Sequence, residues 1–321
     1  MKKIYLCTNR KTVKNVYATD DTVYTKDDIL SEPKKFKATE YIFSTWGMPT
    51  FTEEEIKSYL PSLKAVFYGA GTVQAFARPF LNCGIKVFSA WAANAVPVAE
   101  YTVAQIILAN KGFFQSSRLA KTGDRKAASQ CFRSYPGNYD VKIGIIGAGM
   151  IGKLVINMLK RSNLEVLVFD PFLPDETAAE LGVEKVNLET LFKECQVVSN
   201  HLANNAQTQG MLGGKLFESM LPNATFINTG RGAQVVEQDL INTLKSRPDL
   251  TALLDVTFPE PPEEGSELYT LPNCILTPHI AGSSGNEVRR MGEYMKEEHQ
   301  NFLKNEPYKY EVTLEMLKTM A

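Results

Sequence analysis

VKIGIIGAGMIG, residues Val141–Gly152, sets the architecture of the chain. Val141–Ile146 reads as a buried strand, and glycines 147, 149 and 152 follow it in the spacing G-x-G-x-x-G. In such a loop the first glycine permits a tight turn and the second lets a ligand approach the backbone. The third lets the following helix pack closely on the strand. A helix expected over Met150–Arg161 opens with unpaired N–H groups and a partial positive charge, which suits a pyrophosphate. The next strand, Glu165–Phe169, ends at Asp170, an acid at the distance of about 20 residues that this arrangement calls for. Asp170 is placed to accept from the adenosine ribose hydroxyls. Pro171, Phe172, Leu173 and Pro174 offer no cation for a 2′-phosphate. The loop therefore points to NAD rather than NADP, with Gly147, Gly149, Met150, Ile151, Gly152 and Asp170 in contact with it.

The same alternation continues downstream. Strands are expected at Gln196–Ser199, Ala224–Asn228, Ala252–Asp255 and Cys274–Leu276, separated by helices such as Glu237–Lys245. Strands alternating with helices predict a doubly wound parallel sheet. Upstream, Lys3–Cys7, Glu40–Ser44, Ala65–Tyr68 and Lys86–Phe88 are short apolar runs of parallel-strand type, with a charged helix at Thr52–Tyr59. A helix is expected from Pro97 to Lys111, with Asn94 as a possible cap, Pro97 in the first turn and Gly112 as the stop. Its apolar residues surround it, which calls for burial between domains or against another subunit. Lys121–Asp140 reads as a polar connection. Glu287–Leu303 reads as a helix and Lys309–Thr313 as one last strand, a tail able to return to the first domain. The expected fold is α/β with two Rossmann-like domains. A doubly wound NAD domain, 101–289, is inserted in a smaller flavodoxin-like substrate domain made of 1–100 and 290–321.

Bulk properties narrow the function. The chain has 321 residues, 35 basic and 36 acidic, for a formal charge of -1, which gives no electrostatic reason for a nucleic-acid or membrane partner. Cys7, Cys83, Cys131, Cys195 and Cys274 are scattered without a C-x-x-C pair, so neither a disulfide framework nor a metal site is expected. The amino-terminal segment lacks a signal-peptide pattern. No stretch reads as the ~18 consecutive apolar residues of a bilayer span. A cytoplasmic protein acting on small molecules is expected.

Hydride exchange at a 2-oxo acid needs a bidentate cation for the carboxylate, a proton donor with a pKa near neutrality, and an acid to orient that donor. Arg231, in Thr229-Gly230-Arg231-Gly232, follows an expected strand. Glu260 lies between prolines in FPEPP, Phe258–Pro262, and His279 follows Thr277-Pro278. All three sit near carboxyl ends of strands, where an open α/β sheet forms its crevice. His201 is a second candidate at a similar junction, without an acid partner, and suits packing or a place beside the cofactor. His299, in Lys296-Glu297-Glu298-His299, is expected to face solvent.

Taken together these residues resemble the D-isomer-specific 2-hydroxyacid dehydrogenase family over roughly Ser62 to Gly282. The markers are GIIGAGMIG with Asp170, FINTGRGAQVVEQDL, LLDVTFPEPP and NCILTPHIAG. Upstream, YGAGT at Tyr68–Thr72 and NAVPVAE at Asn94–Glu100 match the family's substrate-loop and hinge-helix patterns. The resemblance implies that Arg231 binds the substrate carboxylate, that Glu260 pairs with His279, and that His279 moves the proton. It implies that N–H groups around Ala70, Gly71 and Thr72 clasp the same carboxylate, with closure of the domains to expel water. His201, Thr229, Gly230, Arg231, Asp255, His279 and Ala281 complete the expected cofactor contacts, and a homodimer through the NAD domain is implied. Two stretches depart from the family pattern, Leu202-Ala203-Asn204-Asn205, which lacks a proline, and Phe132–Asp140. Trp46, Gly47, Met48 and Phe51 are either a wall of the substrate pocket or core, and Arg78 offers a lone cation for a phosphorylated substrate. The extra regulatory domain of long phosphoglycerate dehydrogenases is not expected. Other readings are an NAD-sensing scaffold like the C-terminal-binding-protein corepressors, and a formate- or phosphite-type dehydrogenase.

Overall fold

Short runs rich in aromatic and β-branched residues become the strands of two separate sheets. A computed structural model describes residues 2–318. The chain forms two units, Met1–Ala95 with Ser283–Ala321, and Val96–Gly282. Residues 1 and 319–321, part of the expected substrate domain, lie outside the described residues.

In the first unit β1 is Lys3–Leu6, β2 Val23–Tyr24, β3 Tyr41–Ser44, β4 Ala65–Tyr68 and β5 Lys86–Ser89. The sheet runs Glu311–Val312, β5, β4, β3, β1, β2, parallel except at Glu311–Val312, which pairs antiparallel with β5. Successive side chains of a strand point to opposite faces. Ile4, Ile42, Val66 and Val87 thus enter one core, and Tyr5, Phe43, Phe67 and Phe88 enter another. The helix Val288–Lys304 covers the second, burying Met291 and Met295. Gly292 lets this helix meet Arg10–Tyr17, since a Cβ there would stand 2.0 Å from Val16 O.

His299 departs from the expectation of a solvent-facing residue. Its ring centroid lies 4.8 Å from that of Tyr41, 5.2 Å from Phe43 and 5.1 Å from Phe67. Steps of four residues put Met291, Met295 and His299 on one helical face, whatever the charge of its sequence neighbours. Desolvation, with Lys3 assisting, lowers its pKa. The neighbouring Glu298 is fully buried, and its carboxylate accepts from Lys309 N at 3.2 Å, holding the turn that feeds Glu311–Val312.

The second unit holds β6 Tyr139–Ile146, β7 Asn163–Phe169, β8 Glu184–Lys185, β9 Val197–Asn200, β10 Thr225–Asn228, β11 Thr251–Leu254 and β12 Cys274–Leu276. Their order is β12-β11-β10-β9-β6-β7-β8, all parallel. Strand order reverses between β6 and β9, which opens a crevice at their carboxyl ends.

Two further expectations are corrected. The helix placed from Pro97 instead spans Trp91–Asn110, with Pro97 inside and Asn94 no cap. A proline there removes one helical hydrogen bond, at about 3 kcal/mol, and burial of Ala93, Ala95, Val98 and Ala99 offsets the loss. That helix, 20 residues with mean hydropathy 1.2, is long and apolar enough to cross a membrane by length and composition, and half of its apolar window is buried. The segment Lys121–Asp140 contains a helix, Arg125–Arg133, capped by Asp124, whose carboxylate accepts from Ala127 N at 2.8 Å.

Candidate active site

The glycine loop follows β6 directly. Gly147 has φ +89, in the left-handed region, and a Cβ there would lie 2.9 Å from His201 O. At Gly152 a Cβ would lie 2.0 Å from Gly147 O, so only glycine lets the helix Met150–Leu159 start this close to the strand. At Gly149 a Cβ would meet nothing within 4 Å, and no side chain caps the helix. The start of the helix is thus open to an anion on its exposed N–H side. Asp170 is pinned at the end of β7, its Oδ2 accepting from Ala148 N at 2.7 Å and its Oδ1 from Phe172 N at 2.8 Å. Each oxygen keeps a lone pair for a ribose hydroxyl. These residues fit a dinucleotide.

At the neighbouring strand ends lies a buried amide network that the sequence did not single out. Asn200 Nδ2 donates to Asn228 Oδ1 at 3.0 Å and to Gln234 Oε1 at 2.5 Å. Gln234 Nε2 donates to Leu202 O at 2.8 Å and Ala203 O at 3.0 Å, so the stretch that lacks the usual proline is held by a side chain instead. The available signal was the polar residue closing each apolar strand, Asn200 in VVSN and Asn228 in TFIN. The network fixes the turn carrying Arg231, whose N–H donates to Gln234 Oε1 at 3.3 Å. Thr229 is buried, with its Oγ1 3.2 Å from Thr102 Oγ1.

Arg231 Nη1 donates to Gly230 O at 2.8 Å. Desolvation lowers its pKa and nearby Glu260 opposes the shift, so the guanidinium is a shielded cation with an acid close by. A Cβ on Gly232 would stand 2.0 Å from the Thr257 backbone. Glycine at 232 therefore brings the Arg231 turn against the Glu260 loop.

Asp255, at the end of β11, is buried and organises the histidine loop. Its Oδ1 accepts from Thr277 Oγ1 at 2.6 Å and Ile280 N at 2.8 Å, and its Oδ2 from Ala281 N at 2.9 Å. Tyr101 OH lies 3.2 Å from Thr277 Oγ1. His279 sits at φ 54, a left-handed conformation uncommon for a residue with a Cβ. Its own N–H donates to Asp255 O at 3.1 Å and Thr277 O at 3.0 Å. So held, the imidazole places Nδ1 2.6 Å from Glu260 Oε1, with both side chains about half exposed, 50% and 41%. A carboxylate at Nδ1 takes the Nδ1–H and leaves Nε2 for a ligand.

His201 is different. It is 9% exposed, its Nε2 lies 2.9 Å from Ser199 Oγ, and its Nδ1 has no partner among the described residues. Burial pushes its pKa down to about 4, so the ring is neutral near pH 7.

The expected substrate residues of the first unit follow β3 and β4. Ala70 is buried, Gly71 partly exposed, Thr72 exposed, and Trp46 is 41% exposed. Met48 and Phe51 belong to the core of the first unit. Arg78 is exposed on the helix Ala77–Asn82.

A parallel sheet carrying a glycine loop at its crossover and an acid after the next strand defines a dinucleotide-binding unit. Residues 103–281 match the family described as D-isomer specific 2-hydroxyacid dehydrogenase, NAD binding domain. The chain belongs to this family, and its second unit is the NAD-binding domain. It is 31% identical to D-3-phosphoglycerate dehydrogenase of Archaeoglobus fulgidus over 72% of this chain and 43% of that one. It is 30% identical to glyoxylate reductase of Thermococcus litoralis over 74% of this chain and 72% of the relative. The matches span 59% and 43% of two of the curated relatives, those of Bacillus subtilis and Archaeoglobus fulgidus. In fold the chain is similar to D-mandelate dehydrogenase of Rhodotorula graminis, with a TM-score of 0.79 at 21% identity, covering 97% of each chain.

His201 gives a pH signature. An ordinary histidine, with a pKa near 6.5, takes up its proton on acidification when unfolded but not in this buried site. Its contribution to stability is complete above about pH 6.5 and falls away toward pH 4, by about 2–3 kcal/mol. Urea titrations at about pH 7 and about pH 4.5 should show a larger acid loss for the wild type than for His201→Asn. Equal losses would mean that His201 titrates normally.

Proposed function

We propose that the chain interconverts a 2-oxo acid and a D-2-hydroxy acid with NAD(H), using Arg231, Glu260 and His279. The observation that carries this reading is the 2.6 Å contact of His279 Nδ1 with Glu260 beside a desolvated arginine. Arg231 presents a planar fork to the substrate carboxylate. His279 Nε2 gives its proton to the carbonyl oxygen during reduction and takes it back during oxidation. Glu260 remains on Nδ1 throughout, holding the tautomer and balancing the charge when the ring is protonated. NAD(H), held by the glycine loop and Asp170, would supply the hydride for reduction of the 2-oxo acid and take it up on oxidation of the 2-hydroxy acid. His201, neutral and buried, orients groups near the glycine loop and transfers no proton.

His279→Asn should cut turnover about 10²–10⁴-fold while NADH affinity stays near wild type. The assay is NADH oxidation over a panel of 2-oxo acids, with formate and phosphite oxidation run alongside. Wild-type turnover in this variant removes His279 from the mechanism, and inactivity of the wild type on the whole panel overturns the reading.

Preference for NAD follows from Asp170 at the ribose, where a 2′-phosphate would face a carboxylate. KM for NADPH should exceed KM for NADH, and the reverse order would overturn this role.

A homodimer is part of the proposal. Leu108, Phe113 and Phe132 are 38%, 49% and 47% exposed around an apolar groove of about 440 Å³ in the NAD-binding unit. Exposed apolar patches of this kind mark association surfaces. Light scattering should give twice the chain mass, and Phe113→Asp should lower it toward one chain. A monomeric wild type would exclude the dimer.

A further inference from the structure

A row of buried donors lines the carboxyl edge of the first unit's sheet, and each holds a backbone carbonyl of a strand end or of the turn beyond it. Tyr17 OH donates to Ser44 O at 2.8 Å and Phe67 O at 2.9 Å, and Ser44 Oγ donates to Leu6 O at 2.5 Å. Two members of the row converge on the turn after β4. Thr45 Oγ1 donates to Gly69 O at 2.7 Å. Ser89 Oγ shares its proton between Ala70 O at 2.9 Å and Gly71 O at 2.5 Å. Both hydroxyls are fully buried. They come from the ends of β3 and β5, the strands on either side of β4.

Three successive carbonyls, Gly69, Ala70 and Gly71, are therefore held by side chains. In a trans peptide the N–H points opposite to the carbonyl. Fixing those carbonyls aims the N–H groups of Ala70, Gly71 and Thr72 away from the two hydroxyls. Ala70 N–H turns back onto Tyr68 O at 2.9 Å, and among the described residues no backbone carbonyl takes the N–H groups of Gly71 and Thr72. The space in front of Gly71 is open, since a Cβ there would meet only Asn94 Nδ2, at 3.9 Å. Successive outward N–H groups form a concavity suited to an anion. Alanine or valine would fill the space behind the turn without a buried hydroxyl, which is costly unless it is hydrogen-bonded. The hydroxyls are thus explained by the carbonyls they hold.

We propose that Thr45 and Ser89 are positioning residues for the substrate carboxylate. They fix the peptide planes of Gly69–Thr72 so that Gly71 and Thr72 N–H can grip that group. The inference rests on the 2-oxo acid reading of Arg231 and His279. Without either hydroxyl the peptide planes are free to turn, and hydrogen bonds to an anion weaken. Bonds to charged groups of this kind correspond to roughly tenfold to a hundredfold in affinity.

The test uses the full chain saturated with NADH and oxamate as a non-reducible isostere of a 2-oxo acid. Calorimetry gives the oxamate Kd for wild type, Thr45→Val, Thr45→Ser and Ser89→Ala. Thr45→Val preserves volume and Thr45→Ser preserves the hydroxyl, so this pair decides the matter even if Ser89→Ala fails to fold. Thr45→Val and Ser89→Ala should weaken oxamate about tenfold or more, while Thr45→Ser stays near wild type and NADH affinity is unchanged. In turnover assays the loss should appear in KM for the 2-oxo acid more than in kcat. Wild-type oxamate affinity in Thr45→Val, or an equal loss in Thr45→Ser, overturns the inference and leaves the functional reading standing. A wild type that binds NADH but not oxamate overturns the functional reading, and the inference with it.

Discussion

The Asp255 carboxylate is the constraint on which the placement of His279 and its loop depends. It lies at the end of one strand and takes three donors from the segment that follows the next strand, Thr277 Oγ1, Ile280 N and Ala281 N. A buried carboxylate this engaged prevents the loop from relaxing, because any movement leaves a charge without partners. His279 can then be held in a left-handed conformation that an isolated chain would rarely occupy. That conformation sets where Nδ1 points, and Glu260 meets it. Asp255, expected only as a cofactor contact, anchors the loop that carries His279.

Glycine supplies the complementary constraint. Gly147 and Gly152 let helix and strand close on each other, and Gly232 brings two loops within van der Waals reach. Gly149 closes nothing and leaves a space in front of the helix start. One residue type thus serves two opposite needs, tight packing behind the site and emptiness in front of it. The side-chain amides of Asn200, Asn228 and Gln234 then lock the floor between them.

The fold could be read from the sequence because parallel strands buried on both faces leave continuous apolar runs, and Ala65–Tyr68 and Cys274–Leu276 fall where they were expected. The short edge strands Val23–Tyr24 and Glu184–Lys185 escaped notice, since two residues carry no periodicity. Pro97 misled because the local rule for proline at a helix start competes with burial of the residues before it, and burial won. His299 misled because charged neighbours along the chain say little about a face that repeats every four residues. Arg231, Glu260, His279 and Asp170 could be located because each stands in a short motif at a strand end. The amide network and the hydroxyls on the Gly69–Gly71 carbonyls could not, because their partners come from different strand ends and follow no spacing rule.

The first unit is interrupted by the second, and this has a consequence for the order in which the chain emerges during translation. The second unit is continuous from Val96 to Gly282 and has all its strands once residue 282 is made. At that moment β1 to β5 exist, yet the aromatic face of Tyr5, Phe43, Phe67 and Phe88 lacks its cover, the helix Val288–Lys304. The edge of β5 also still awaits Glu311–Val312. Domains usually complete themselves from the amino terminus during synthesis. Here the later segment can finish first, and the earlier one carries an open apolar face and a bare strand edge until the last helix and strand arrive.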